Sequence, residues 1–333
     1  MPVNTARQVF LTFDVEGPKE REDHFTRESA EALLRVLAAL KKFRLTGLFF
    51  ITGTVAEKLS QYTEIVELLK GNLIGYHSSS HTIQPRIFEY TDVEDYQQAL
   101  EISLKRETSS IDPSTGKIMG EGGILRLRRI FQNNNVKFFR APFLCWAPPH
   151  IESLRELGIR FDFSTGISDI PSQFKGLTFF PSPIVVDSIF EKVVSVVENQ
   201  KRVLPRFLLK KMLSRQCTVL LMHPSKLICT DQVDRSASEH KVEVRFTKKS
   251  RSKLTLDLVA LKMLFCELSI LERTGAITIT PSPRMTDHNL DAQKIDAEKL
   301  CKENALICKK LFNYKPTFMR NHFAQFFGCR KEL

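Results

Sequence analysis

Residues 8–16 read QVFLTFDVE, an apolar, strand-like run that ends in two carboxylates, and this stretch decides the fold. Working outward from it, strands and helices alternate. Helical SAEALLRVLAALKKF (29–43) is followed by strand-like LTGLFFITG (45–53), helical VAEKLSQYTEIVELLKG (55–71) and strand-like NLIGYHS (72–78). A helical stretch from about Thr91 to Arg106 and a polar, glycine-bearing loop, SSIDPSTGKIMGEGG (109–123), interrupt the pattern. Helical ILRLRRIFQNN (124–134) and strand-like VKFFRAP (136–142) then resume it. Beyond these come helical HIESLRELG (150–158), strand-like IRFDFS (159–164) and LTFFPSPIVVD (177–187), and a basic helical stretch. TVLLMHP (218–224) reads as a strand, Leu254 to Arg273 as a long helix, and AITITPS (276–282) as the last strand. Such a series predicts an α/β protein built as a distorted (β/α)7-8 barrel over residues 1–283, with a basic, helical C-terminal extension over 284–333.

The bulk numbers agree with one main domain plus an appendage, since 333 residues at 42% hydrophobic content bury a large core. No stretch approaches the roughly 20 apolar residues that span a bilayer, and the start of the chain has no apolar h-region. A cytoplasmic protein is expected, peripheral at the inner membrane surface if it meets lipid. The seven cysteines include no CxxC pair and are expected to be reduced thiols, neither disulfides nor zinc ligands. A net charge of +11 points to an anionic partner, phosphate or acidic lipid.

In parallel α/β folds chemistry gathers at the carboxyl ends of the strands. Asp14 and Glu16 end the first strand, and because strand side chains alternate, both can face the same mouth. His77 and His81, in YHSSSH, follow the third strand at a spacing that lets two imidazoles converge on one ion, from a helical turn or a tight loop. One carboxylate with two imidazoles leaves a position open for water, as hydrolytic sites do. Arg140 ends VKFFR, where Pro142 fixes the turn. An arginine beside a carboxylate favours its charged form and orients it. His223 ends TVLLM, where it could give a proton to a leaving amine or be a satisfied core histidine.

Taken in order, TFDVEG, HSSSH, RAPF and LMHP resemble the motif series of the polysaccharide deacetylases, carbohydrate esterase family 4 (NodB homology), from about Val9 to Ser282. The resemblance implies a zinc-type hydrolase acting on an N-acylated sugar. It implies Asp14 as general base, His77 and His81 as ligands of one divalent metal, Arg140 steering Asp14, and His223 as general acid. The backbone N–H of Phe143 falls at the family's oxyanion donor. Three departures stand out. Val15 replaces the family's second neighbouring aspartate, so the carboxylate ligand would be Glu16, a DxE form, with Asp14 the other candidate. Phe143 lacks the hydroxyl of the usual tyrosine. The aspartate that tunes the acid histidine is not matched; Asp162 is the best candidate, with Asp169 behind it. Zinc suits the ligand set, and nickel, cobalt or manganese would also fit.

Two runs, KRVLPRFLLKKMLSR (201–215) and HKVEVRFTKKSRSK (240–253), are unusually basic. They read either as solvated faces of outer helices or as a surface for acidic lipid, which would favour a sugar linked to polyprenyl phosphate or a nucleotide. No nucleic acid is expected. The phenylalanines of the C-terminal end are expected to pack across the bottom of the barrel, and the loop from Asp112 to Gly123 to overhang the mouth. A deformylase or cyclic-amide hydrolase on the same barrel, or an inactive glycan-binding barrel, are the competing readings.

Overall fold

The computed structural model describes residues 7–16, 25, 27–81, 86–112, 115, 117–133, 135–164, 166, 169–187, 206–234, 243–279 and 297–328. Strand β1 (Arg7–Val15) lies at the centre of a curled, largely parallel sheet. It is followed by α1 (Arg27–Phe43), β2 (Leu48–Ile51), α2 (Gly53–Leu59), α3 (Thr63–Lys70) and β3 (Leu73–Tyr76). Next come α4 (Ile87–Tyr90), α5 (Tyr96–Thr108), a hairpin of β4 (Ser109–Ile111) and β5 (Ile118–Glu121), and α6 (Gly123–Phe131). The predicted helix over 91–106 is α5, which starts later, at Tyr96, and runs to Thr108, while the predicted loop over 109–123 carries a two-stranded ribbon. That ribbon is hard to see in sequence because β5 has no buried side chain to set a period.

The sheet continues with β6 (Phe138–Phe139), α7 (Pro148–Glu156), β7 (Phe161–Asp162), β8 (Ser172–Phe174), β9 (Leu177–Phe179) and β10 (Ile184–Val185). Helix α8 (Arg206–Ser214), β11 (Cys217–Met222), the antiparallel ribbon of β12 (Cys229–Asp234) and β13 (Glu243–Lys248), α9 (Arg251–Arg273) and β14 (Ile277–Ile279) follow. The strand order is β10-β11-β1-β2-β3-β6-β7-β9-β8, with β14 added at Arg7–Val9 of β1. Among the described residues of this sheet only β8 runs antiparallel to its neighbour. Among the described residues no pairing joins β10 to β8, so the distorted (β/α) barrel is open on that side.

Alternation along β1 sorts its side chains. Val9, Leu11, Phe13 and Val15 join the large outer core under the helices, where Phe13 stacks on Phe49 and meets Phe265 of α9 edge-on. Phe10 points the other way, into an inner cluster with Phe50, Phe138, Phe163, Phe180 and Val219. Phe163 and Phe180 stack there at 4.1 Å, and Phe10 meets both edge-on. These rings come from five strands or strand ends, so they fill the barrel itself. Thr12, Asp14 and Glu16 share the parity of Phe10 and continue its row to the mouth.

Of the basic runs, 201–205 and 240–242 lie outside the described residues. Helix α8 buries Leu208 and Met212 and exposes Lys210, which spends those apolar residues on the core. In the second run, Glu243–Lys248 is strand β13 and Arg251–Lys253 opens α9. In the C-terminal extension, α10 (Ala297–Phe312) and α11 (Met319–Phe327) pack on each other, and α11 packs on α7. Phe323, Phe326 and Phe327 surround the fully buried Trp146, and Phe326 and Phe327 also meet Phe174. Asn304 Oδ1 accepts from the Trp146 backbone N–H at 2.7 Å, and Asp92 accepts from the N–H groups of Thr317 and Phe318. The boundary expected at 283/284 falls outside the described residues. No helix among the described residues is long and apolar enough to cross a membrane.

Candidate active site

Arg140 is the centre of the buried polar layer above the phenylalanines. It directly follows β6 and has the parity of Phe138 on that strand, so its side chain enters the barrel, where it is fully buried. Its Nη1 donates to Asp14 Oδ1 at 2.7 Å, Nη2 to Thr12 Oγ1 at 2.9 Å, and Nε to the Phe163 carbonyl at 3.2 Å. The guanidinium also lies over the Phe50 ring at 4.3 Å. Asp14 is therefore held through one oxygen, leaving Oδ2 turned to the mouth, 3.9 Å from Nε2 of both His77 and His223.

Glu16, His77 and His81 form one buried group whose donor atoms lie within 4.8 Å of one another. Glu16 Oε2 is 2.8 Å from His81 Nε2 and 3.6 Å from His77 Nε2. His77 Nδ1 must donate to the carbonyl of Arg140, at 2.8 Å, since that oxygen can only accept. In the neutral ring this leaves the lone pair on Nε2, a buried nitrogen with no hydrogen-bond partner, aimed at a carboxylate. Two electron-rich atoms facing each other in a buried space fit a cation between them, and the Nδ1 bond fixes the tautomer that would bind it. Glu16, not Asp14, completes this group. Burial alone would raise the Glu16 carboxyl, but the charge of His81, the His77 and His81 rings set against its oxygens, and the charge of His223 hold it well below the usual range.

HSSSH is a tight loop, not a helical turn. Ser78 takes a positive φ of 64°, which reverses the chain between the two histidines. The carbonyls of Ser78 and Ser79 accept from Gly53 and Thr54 at the start of α2, and Ser79 Oγ accepts from Gly123 at the start of α6. A Cβ on Gly123 would lie 2.4 Å from Ser79 Cα, so this approach requires glycine.

Behind the loop lies a residue that motif reading misses. Glu107, buried in the last turn of α5, accepts from His150 Nε2 at 2.7 Å, Ser78 Oγ at 3.1 Å and Tyr90 Oη at 3.2 Å, and from Tyr76 Oη. Burial would raise its carboxyl, but His150, through charge and hydrogen bond, and the hydroxyls of Tyr76 and Ser78 hold it below the ordinary value. Glu107→Gln turns an amide N–H₂ toward these donors. It is expected to weaken metal binding by roughly tenfold through the loosened Ser78 turn, measured by chelator competition. An unchanged affinity would reduce Glu107 to a packing role.

His223 ends β11. Its Nδ1 is 2.6 Å from Asp187 Oδ2, and its backbone N–H donates to Asp187 Oδ1 at 3.0 Å. The carboxylate against His223 is thus Asp187, not the predicted Asp162. Asp162 instead accepts from Ser164 Oγ at 2.5 Å, and Ser164 Oγ accepts from Ala141 N–H, so Asp162 braces the loop after Arg140. Sheet order gives the reason: β10 lies beside β11, whereas β7 lies between β6 and β9. Asp169 is on the surface beside Arg215. Burial would pull His223 down, but the Asp187 hydrogen bond and the charges of Glu16, Asp187 and Asp14 push it up to about 9.

Phe143 follows Pro142 with φ 58°, ψ 12°, and its ring sits 4.1 Å from that of His81. Such left-handed geometry is strained for a bulky residue, and strain of this kind gathers at functional sites.

Residues 3–161 match the polysaccharide deacetylase family model. The matched segment, just under half of the chain, carries Asp14, Glu16, His77, His81 and Arg140; Asp187 and His223 lie beyond the matched residues. Among solved structures, a candidate polysaccharide deacetylase of Mycobacterium smegmatis is 15% identical, covering 86% of this chain and 96% of its own, with a TM-score of 0.47. A CE4 esterase of Streptococcus mutans is 15% identical over 83% of this chain and 86% of its own, with a TM-score of 0.42. A family 4 carbohydrate esterase of Streptomyces lividans in complex with acetate is 14% identical over 86% of this chain and 98% of its own, with a TM-score of 0.40. A search of the curated proteins finds no match.

Proposed function

We propose that this chain is a metal-dependent hydrolase that removes an acetyl group from the amide nitrogen of an N-acylated sugar. The observation that carries this reading is the convergence of three differently supported units at one mouth: Asp14 on Arg140, Glu16 with His77 and His81, and His223 on Asp187. A divalent cation held by Glu16, His77 and His81 would supply Lewis acidity and a more acidic water. Asp14, oriented by Arg140, takes the proton of the attacking water. The backbone N–H of Phe143 serves the oxygen that gains charge as the carbonyl carbon becomes tetrahedral. His223 gives its proton to the nitrogen as the C–N bond breaks, so acetate and a free amine leave. The family-model match over residues 3–161 supports the reaction class, and the different supports of Asp14 and His223 argue for separate roles. Incubation of the zinc-loaded protein with N-acetylated sugars tests the reading. Acetate release, abolished by Asp14→Asn, is expected, whereas formate or ring-opened products from a wider panel would redirect it to the related amide hydrolases.

The pH profile gives a second check. An acid must be protonated to act, so activity falls as pH rises through the His223 pKa. Asp187→Asn removes the principal contribution holding that pKa up, and the alkaline limb is expected to move down by about 1 unit or more. Part of the charge of Glu16 is spent on the cation in the loaded protein, which lowers the limb in both proteins and leaves the comparison intact. A limb that does not move would remove His223 from the acid role.

A further inference from the structure

On the far side of the HSSSH loop lies a pocket of about 170 Å³ that the hydrolytic chemistry does not use. Ser78–Ser80, Pro142 and Phe143 form its wall toward the metal group, and since Phe143 packs on His81 the pocket is one ring away from that group. Three arginines line it, Arg86, Arg106 and Arg126, with hydroxyls from Ser80 and Ser110. They come from separate elements: Arg86 precedes α4, Arg106 is in the last turns of α5, and Arg126 is on α6.

What these arginines do in the fold sets two of them apart. Arg129, also on α6, is held by Glu57 and Glu121 at 2.9 Å each, and Arg128 donates to the Leu157 carbonyl. Arg86 is 3.6 Å from Glu89. Arg106 and Arg126 form no ion pair among the described residues; Arg106 lies 5.8 Å from the centre of the Tyr90 ring. Glu107 also lines the pocket, but its oxygens are occupied by Tyr76, Ser78, Tyr90 and His150. The wall is therefore rich in guanidinium donors that no carboxylate has taken up.

We propose that this pocket is an anion subsite that receives the phosphate of a phosphorylated N-acylated sugar, with Arg106 and Arg126 as its principal donors. The sugar half of this statement rests on the hydrolase reading; the anion half does not. Guanidinium forks match tetrahedral phosphate oxygens bidentately, and the serine hydroxyls add neutral donors. The size agrees, since whole ligands of drug size occupy pockets of about 300–1,000 Å³ and this one takes a single group. A nucleotide-linked sugar and a sugar on a lipid phosphate present the same chemistry here.

The test titrates inorganic phosphate into the full-length, zinc-loaded protein by calorimetry, beside Arg106→Gln/Arg126→Gln and a charge-matched control, Lys309→Gln/Lys310→Gln. Binding about tenfold or more weaker in the arginine variant, with zinc content unchanged and the control unaffected, is expected from losing hydrogen bonds to a charged group. No binding by the unmodified chain, or equal losses in both variants, would overturn the subsite and leave diffuse charge. A second arm compares acetate release from N-acetylglucosamine, a nucleotide-linked N-acetyl sugar and a polyprenyl-phosphate-linked one in detergent. A preference for either phosphorylated substrate that the arginine variant erases supports the subsite and identifies its source. Equal rates on neutral and phosphorylated sugars, unaltered in the variant, overturn the subsite and leave the hydrolase standing. If no sugar is hydrolysed, the hydrolase reading fails while the phosphate titration still decides the subsite.

Discussion

A His77→Ala, His81→Ala double variant is expected to lose bound divalent metal completely and to lose hydrolysis by about 10³-fold or more. Removing both imidazoles leaves Glu16 alone, and one carboxylate beside water is a poor site for zinc, whose affinity comes from several converging donors. The rate loss follows from the several kcal/mol of carbonyl polarisation and water activation that a cation contributes, at about tenfold for each 1.36 kcal/mol. Folding is expected to survive. His77→Ala gives up one buried hydrogen bond, from Nδ1 to the Arg140 carbonyl, at a cost of about 1 kcal/mol, while the turn between the histidines is still held through Ser78, Ser79 and Glu107. Metal analysis of both purified proteins, with acetate release on the same preparations, is the measurement. About one equivalent in the parent and none in the variant fits the proposal. A parent that stays metal-free after incubation with zinc would remove the hydrolase at its root and favour a binding role.

Much of this site was legible because strand alternation is a local rule. QVFLTFDVE shows on its face that residues 10, 12, 14 and 16 share a side, and the inner row observed at Phe10, Thr12, Asp14 and Glu16 follows from it. Placing polar residues at strand ends likewise locates Arg140 and His223. What stayed hidden depends on which strands are neighbours. Asp162 and Asp187 both close apolar strands, and nothing in either segment says that β10, and not β7, lies against β11. The signal for Asp187 was the acid ending PIVVD, equal in kind to that for Asp162. Glu107 was out of reach for a different reason: it is one acid in a helix of mixed polarity, and its partners Tyr76, Ser78 and His150 are 29 to 43 positions away. The β4-β5 hairpin escaped because β5 buries no side chain and so carries no apolar period.

Replacing Arg140 by methionine is expected to destabilise the fold by about 3–5 kcal/mol, the cost of leaving a buried charge without its partner. Asp14 is only 4% exposed, and Arg140 supplies its closest cation, at 2.7 Å, while also tying Thr12 and the Phe163 carbonyl into the same layer. Arg140→Lys should recover part of this, because an ammonium keeps the charge but cannot reach three acceptors lying in different directions. The informative protein is the double variant Arg140→Met, Asp14→Asn. Once the carboxylate is neutral the methionine no longer strands a charge, so the double variant is expected to be more stable than Arg140→Met alone, by at least about 1 kcal/mol of coupling. Denaturant unfolding of the four proteins of this cycle measures it. Additive losses would mean that Arg140 acts as packing over Phe50 and not as the counter-charge of Asp14. The double variant should regain no hydrolysis whatever its stability, because the amide that replaces the Asp14 carboxylate cannot take a proton, and that separates what the ion pair does for the fold from what Asp14 does for the reaction.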